Sequence, residues 1–402
     1  MTYRVNANPN MIKWARKNAR FEFDDLPKSL NNAHLWESGD LKPTWNDLRN
    51  LAKKYKRPPV FYLRSDPPKI EKIDFIEFRS DSKIDKFSPD LNLEINKAKF
   101  RRNIYLNIHE ENNMNITDFS KNLIANKINN NQKTIKNIAK TIRNLLNISL
   151  ETQSQWIEND NGNKDYNHSK FLYEWKEAIS QLGILIFETE NVLESEMSGL
   201  SIYYDKYPII LLNGKNKPNR RIFTLIHELV HLMMGISTIC DVDIDNKKEF
   251  LCNQIAFEVL VPLESLNNAK ISKNKFVKDH ENEEWTSREL GTLSHIYGVS
   301  KQTMIIQLYK LKKTSKTFKD LTINSLKEYN LILKNKEKER QKKSNGGAMA
   351  PVQKVKKYDG KPFSRFIVSA YENGFIGPTE FKRYLNLHIN LIDSLHDEIF
   401  KL

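Results

Sequence analysis

Three side chains within fifteen residues, His227, Glu228 and His231 of RIFTLIHELVHLMMG (Arg221 to Gly235), have the types and spacing for metal chemistry. On an α-helix the two histidines stand one turn apart on a single face. Two imidazoles so placed can grip one small cation, and Zn²⁺ takes nitrogen ligands at about 2.0–2.1 Å. The carboxylate that follows the first histidine flanks such an ion and reaches a bound water instead of the ion itself. Helix context is a condition for all of this. Pro218 and Asn219 suit a helix start, Gly235 suits the position after a helix end, and no proline or glycine intervenes. Apolar residues surround the three polar ones, so the helix is expected to be buried and its histidines to need partners. The plain alternative is a pair of core histidines satisfied by hydrogen bonds.

A catalytic zinc site normally has a third protein ligand. Downstream candidates are Asp241, Asp243, Asp245, Glu249, Cys252 and Glu258. The three aspartates fall between helices, where a solvated loop is expected. Glu249 to Pro262, EFLCNQIAFEVLVP, reads as a second helix ended by proline, with Glu249, Cys252, Asn253 and Ala256 on one face. Glu249 is therefore best placed to offer a carboxylate across the first helix. Cys252, one turn on, is either a thiolate ligand or a small buried residue between helices.

HELVH followed by E-x-x-C-N-x-I-A-x-x-V-L-V-P resembles the ImmA/IrrE metallopeptidases. Cys252 stands where that family's pattern has Ala, and Ile255 where it has Phe. Upstream, Ser198 to Gly214 is similar to the hairpin before the family's active-site helix, and Trp175 to Phe187 to its preceding helix and strand. The resemblance spans Trp175 to Leu311. It implies that His227, His231 and Glu249 are zinc ligands, that Glu228 is the catalytic base, and that the substrate is a helix-turn-helix transcriptional repressor. Tyr203, Tyr204 and His280 are candidates to stabilise an oxyanion, and the hairpin Gly199 to Leu212 is a candidate edge for an extended peptide.

The elements that must position these groups belong to a chain of 402 residues, long enough for two or three domains. The expected fold class is α+β and mainly helical: a zincin-like peptidase core, made of the active-site helix and a small sheet, between helical N- and C-terminal units. The expected division is 1–68, 69–164, 165–317 and 318–402. A net charge of +14 permits contact with nucleic acid or an acidic partner. Two cysteines, Cys240 and Cys252, make no disulfide framework, and no signal peptide or run of about 20 apolar residues is present. A soluble cytoplasmic protein with no membrane partner is expected.

In residues 1–68, Met11 to Leu30 gives one amphipathic helix and a second opening near Asp24 with Pro27 in its first turn. WESG at Trp36, KPT at Lys42 and the run Leu48 to Leu63 resemble the Xre-type helix-turn-helix domain often fused ahead of this peptidase. Only Asn31 to Leu35 separate Leu30 from Trp36, too short for a turn plus a recognition helix. Little sequence-specific DNA affinity is expected of this unit. Residues 69–164 suggest a short strand at Ile73 to Ser80 and helices at Leu91 to Ile108 and Thr134 to Ser149. Ser287 to Lys313 reads as helix, turn at Gly298 and helix capped by Ser300, with a structural role favoured over DNA reading. Lys334 to Lys357 reads as a flexible linker. Phe363 to Leu387 resembles a helical module that closes many fused family members. The reading from another class is a DNA- or protein-binding regulator, antitoxin-like, with a silent protease core.

Overall fold

The computed structural model describes residues 3–19, 21–66, 87–124, 132–158, 168–238, 246–272, 275–280, 283–343 and 349–400. The expected strand at Ile73 to Ser80, Cys240 and the three loop aspartates lie outside these residues. Two compact units are resolved, Met1–Lys97 and Ala98–Leu402.

The first unit holds α1 (Pro9–Asn18), α2 (Ala33–Ser38) and α3 (Trp45–Tyr55) around a core of Met11, Ile12, Leu30, Trp36, Leu48 and Leu51. Asn8 caps α1 by accepting from Asn10 N, with Pro9 in its first turn. Thr44 and Asp47 close a reciprocal capping box on α3. The helix expected near Asp24 is not formed. Leu26 and Pro27 are both extended, with ψ of 140° and 157°, because a proline disfavours the helical region for the residue before it. The chain makes two 3₁₀ turns instead, Phe23–Asp25 and Lys28–Leu30. Helix α2 has six residues, under two turns, and Gly39 ends it at φ +87°. Arg16 of α1 reaches α2 through two bonds to Glu37, at 2.7 and 3.0 Å.

Helix α4 (Pro89–Glu111) contains the division between the units. The second unit continues with α5 (Gln132–Leu145), α6 (Leu150–Glu158), α7 (His168–Ser180), β1 (Leu185–Thr189), β2 (Gly199–Ile202), β3 (Ile209–Asn213) and α8 (Pro218–Met233). The three strands form one sheet in the order β1-β3-β2, with β1 parallel and β2 antiparallel to β3. Every residue of β1 and β3 is buried, which explains the apolar runs Leu185 to Phe187 and Ile209 to Leu212, with Glu188, Thr189 and Asn213 as buried polar residues at the strand ends. After α8 come α9 (Asn246–Leu260), α10 (Leu263–Asn267), the short pair β4 (Lys270–Ser272) and β5 (Lys275–Phe276), α11 (Ser287–Tyr297) and α12 (Lys301–Lys310). Helices α5, α7, α8, α9, α11 and α12 share one hydrophobic core.

The turn between α11 and α12 forms as expected: Gly298 has φ +67°, and Ser300 accepts from Thr303 N. A Cβ at Gly298 would lie 2.1 Å from Phe171 of α7, so only glycine lets the two helices pack there. Helix α12 buries Thr303, Met304, Ile305, Gln307 and Leu308, and Gln307 donates to the carbonyls of Phe257 and Val261 on and after α9. That face is spent on the core.

The expected linker is corrected. Lys316–Lys343 is one helix, α13, of 28 residues without proline or glycine, rich in lysine, glutamate and leucine, whose helix propensity survives high charge. Beyond it lie α14 (Pro351–Lys354), a π-turn at Val355–Asp359, α15 (Lys361–Glu372), α16 (Pro378–Leu385) and α17 (Ile392–Phe400). The π-turn packs on β1, and Phe363 of α15 meets Phe187 of β1 edge-on at 5.7 Å. Asp359 pairs with Arg101 of α4. Among the described residues no helix is long and apolar enough to cross a membrane.

Candidate metal centre

Helix α8 starts at Pro218 and ends where Gly235 turns left-handed at φ +71°, its N–H bonded to Leu232 O. Burial of Ile222, Leu225, Ile226, Leu229, Leu232 and Met233 fixes its rotation, leaving His227 and His231 facing α9. The His227 and His231 Nε2 atoms are 3.0 Å apart. Glu249 of α9 sets its Oε2 3.3 Å from the first and its Oε1 3.3 Å from the second. Three donor side chains therefore converge on one point. A tetrahedral zinc bound at about 2.0–2.1 Å would hold its ligand atoms roughly 3.3 Å apart. The spacing and the donor set, two imidazoles and a carboxylate, fit a divalent cation.

Burial works against the charged form of His227, yet Glu249, Glu228 and Asn253 outweigh it and raise its pKa. Hydrogen bonds to the two histidines hold the Glu249 carboxyl far below the usual range. The excess negative character of the cluster is what a cation would neutralise.

The other proposed ligands are engaged elsewhere. Cys252 is fully buried, with Sγ 3.7 Å from His231 Nδ1, the ring nitrogen opposite the cluster, and 3.4 Å from Met234 Sδ. Burial, with Glu249 and Glu228 nearby, pushes its thiol up to about 12, so it packs as a protonated thiol. Glu258 accepts from Leu263 N and caps α10.

Glu228 is 4 % exposed and points to β2. Its Oε2 accepts from Ser201 Oγ at 2.9 Å and from Thr238 Oγ1 at 3.0 Å, which leaves Oε1 outside this pair of bonds. Strand β2 lies hard against the helix, since a Cβ at Gly199 would meet Thr224 Cγ2 at 2.3 Å. The sequence held a partial signal for this: a glycine inside a strand marks close backbone approach, and Ser201 is polar within an apolar strand. Nothing in the sequence singled out Thr238.

Two expectations about substrate contacts change. The outer edge of β2 is already paired at Ser201, whose O accepts from Thr238 N at 3.0 Å and whose N–H donates to Thr238 Oγ1 at 2.7 Å. Tyr203 N donates to Ser237 Oγ at 2.8 Å. An extended peptide cannot add there without displacing Ser237 and Thr238. Of the oxyanion candidates, Tyr203 donates its hydroxyl to Asp205, the Tyr204 ring lies under Arg102, and His280 stacks on Trp285 and pairs with Glu289.

A sheet-backed helix carrying H-E-x-x-H, with a carboxylate supplied by the next helix, defines a metallopeptidase-like domain. In agreement, residues 179–309 match the family model of M78 peptidases described as the IrrE N-terminal-like domain. The matched stretch runs from Ile179 in α7 to Tyr309 in α12 and contains all four residues of the centre. No curated protein and no solved structure matches the chain.

Proposed function

We propose that the chain is a zinc-dependent endopeptidase that cuts a specific protein partner. The observation that carries the reading is the convergence of His227, His231 and Glu249 beside a carboxylate, Glu228, fixed by two hydroxyls. Zinc held by the three ligands would lower the pKa of a water to about 7 and polarise a scissile carbonyl. Glu228 takes the proton of the attacking water and delivers it to the leaving nitrogen. Ser201 and Thr238 hold Glu228 in one orientation for both transfers. By family resemblance the partner is a helix-turn-helix repressor, cut in stress response or mobile-element regulation, in a cytoplasmic setting. The short α2 and the buried face of α12 argue against sequence-specific DNA reading by this chain.

The test compares wild type with Glu228→Gln. Both are expected to hold about one zinc per chain by elemental analysis, because Glu228 is not a ligand. New protein N-termini in cells expressing wild type, and missing with Glu228→Gln, identify the substrate. Identical terminal profiles in the two strains sink the peptidase reading and leave the binding regulator.

A further inference from the structure

We propose that the second unit carries a binding pocket for a small organic phosphate, of the size of a mononucleotide, where the C-terminal helices meet α7 and α8. The pocket encloses about 260 Å³. That is just under the usual range for small-molecule sites, so the occupant is compact. Part of its lining is apolar, with Leu172 and Tyr173 of α7, Ile186 of β1 and Pro362 of α15. Its charged lining is mostly cationic: Lys176, Arg221, Lys356, Lys357 and Lys361, against a single carboxylate, Glu177.

The charges within the fold do not cancel this excess. Lys176 and Arg221 both share the buried Glu188, each at 2.5 Å. Lys356 pairs with Glu398, and Glu177 is taken by Arg365. Lys357 makes no ion pair among the described residues. Burial pushes its ammonium down, with Arg221 and Lys176 adding to the effect and Glu188 and Glu190 opposing it. Burial, then Arg365 and Lys356, does the same to Lys361. Crowded like charges lining a pocket favour an anion that relieves the repulsion, and a phosphate does so with several oxygen acceptors. The apolar part of the lining asks for more than an inorganic ion. Leu172, Ile186 and Pro362 offer apolar surface to a base or sugar, which a bare phosphate lacks, while Lys361 lies over the Tyr173 ring at 4.3 Å.

Arg221 opens the same helix that carries His227, so an occupant would touch the helix of the metal centre. The pocket uses none of the centre's ligands, and the inference stands or falls apart from the peptidase reading.

Calorimetry on the full chain, with AMP, GMP, UMP and ribose 5-phosphate as probes, tests it. At least one is expected to bind saturably below millimolar concentration, with adenosine and inorganic phosphate each weaker by about tenfold or more, the loss of one charge-assisted bond or one apolar contact surface. Lys357→Gln and Lys361→Gln, neither of them an ion-pair partner of Glu188 nor part of the metal centre, should each weaken the bound probe by about tenfold. Thermal melts of these variants show whether they remain folded. The proposal is overturned if no probe saturates, if inorganic phosphate binds as well as every probe, or if binding survives in the Lys357→Gln, Lys361→Gln double variant.

Discussion

Helix α8 carries two buried polar clusters about two turns apart, and they are completed in opposite ways. At its first turns Arg221 and Lys176, both largely covered, meet the fully buried Glu188, where unlike charges lie at 2.5 Å. Two cations share one carboxylate there, and each charge has a partner of opposite sign within the protein. Six residues later His227 and His231 meet Glu249, where three lone-pair donors face one another at 3.0–3.3 Å. Protein atoms alone leave that second cluster open to a cation. A cluster whose cations and carboxylate pair directly with one another serves the fold. One that gathers two imidazoles and a carboxylate as lone-pair donors is suited to chemistry.

The comparison breaks most sharply at the ligands. His231→Ala is expected to abolish zinc binding and cleavage together, since two remaining donors are too few for a closed protein shell. Elemental analysis checks it, and retained zinc would return Cys252 to consideration. Glu249→Ala should behave alike. Next in size is Glu228→Gln, expected to cut the cleavage rate about 10²–10⁴-fold with zinc and melting temperature unchanged.

Glu188→Gln should do the reverse, costing about 3–5 kcal/mol of stability because Lys176 and Arg221 lose their buried partner. Denaturant unfolding measures it, and a variant as stable as wild type would remove the contrast drawn between the clusters. The same group sets an acid limit. Burial alone would raise the Glu188 pKa, but Lys176 and Arg221 bring it below its ordinary 4.5. A carboxylate with a depressed folded pKa contributes stability above pH 4.5 and loses it as pH falls further. Glu188→Gln should therefore flatten the loss of stability below that pH. The smallest effect is expected from Ser201→Ala, which removes one of two hydroxyls on Glu228. A loss of about 1.5–3 kcal/mol in transition-state positioning, with zinc content intact, would place Ser201 in the support of the base.

The clustering of three candidate ligands was legible in the sequence because helical periodicity is local: His227 and His231 share a face by spacing alone, and Glu249 lies in the first turn of the helix that follows. The three-stranded sheet was half legible, as the hairpin at Ser198 to Gly214 announced β2 and β3 while the parallel pairing of β1 with β3 did not. Ser201 and Thr238 were hidden, since their role depends on a strand and a post-helix turn meeting one carboxylate in space. Arg143 taught the same lesson. The helix expected at Thr134 to Ser149 gave no hint of its role, yet Arg143 is buried, donates to Gln153 Oε1 and to the carbonyls of Val259 and Ser149, and is pushed down to about 10 by that burial. Composition misled at Lys334 to Lys343, where charge density suggested a linker although every residue there is compatible with a helix. Pro27 misled in the other sense: it was placed as a helix opener, but its hold on Leu26 decided the local path.

The seating of Phe363 on Phe187 sets a timetable for synthesis. The face of β1 that it covers leaves the ribosome some 175 residues before its cover does. At ordinary translation rates that gap is about 10–35 s. Through that interval the helix with His227 and His231 exists, but the sheet behind it has one bare side. The nascent chain thus carries its candidate metal centre before it carries a finished frame, and the residues from Pro351 onward decide when that frame is complete.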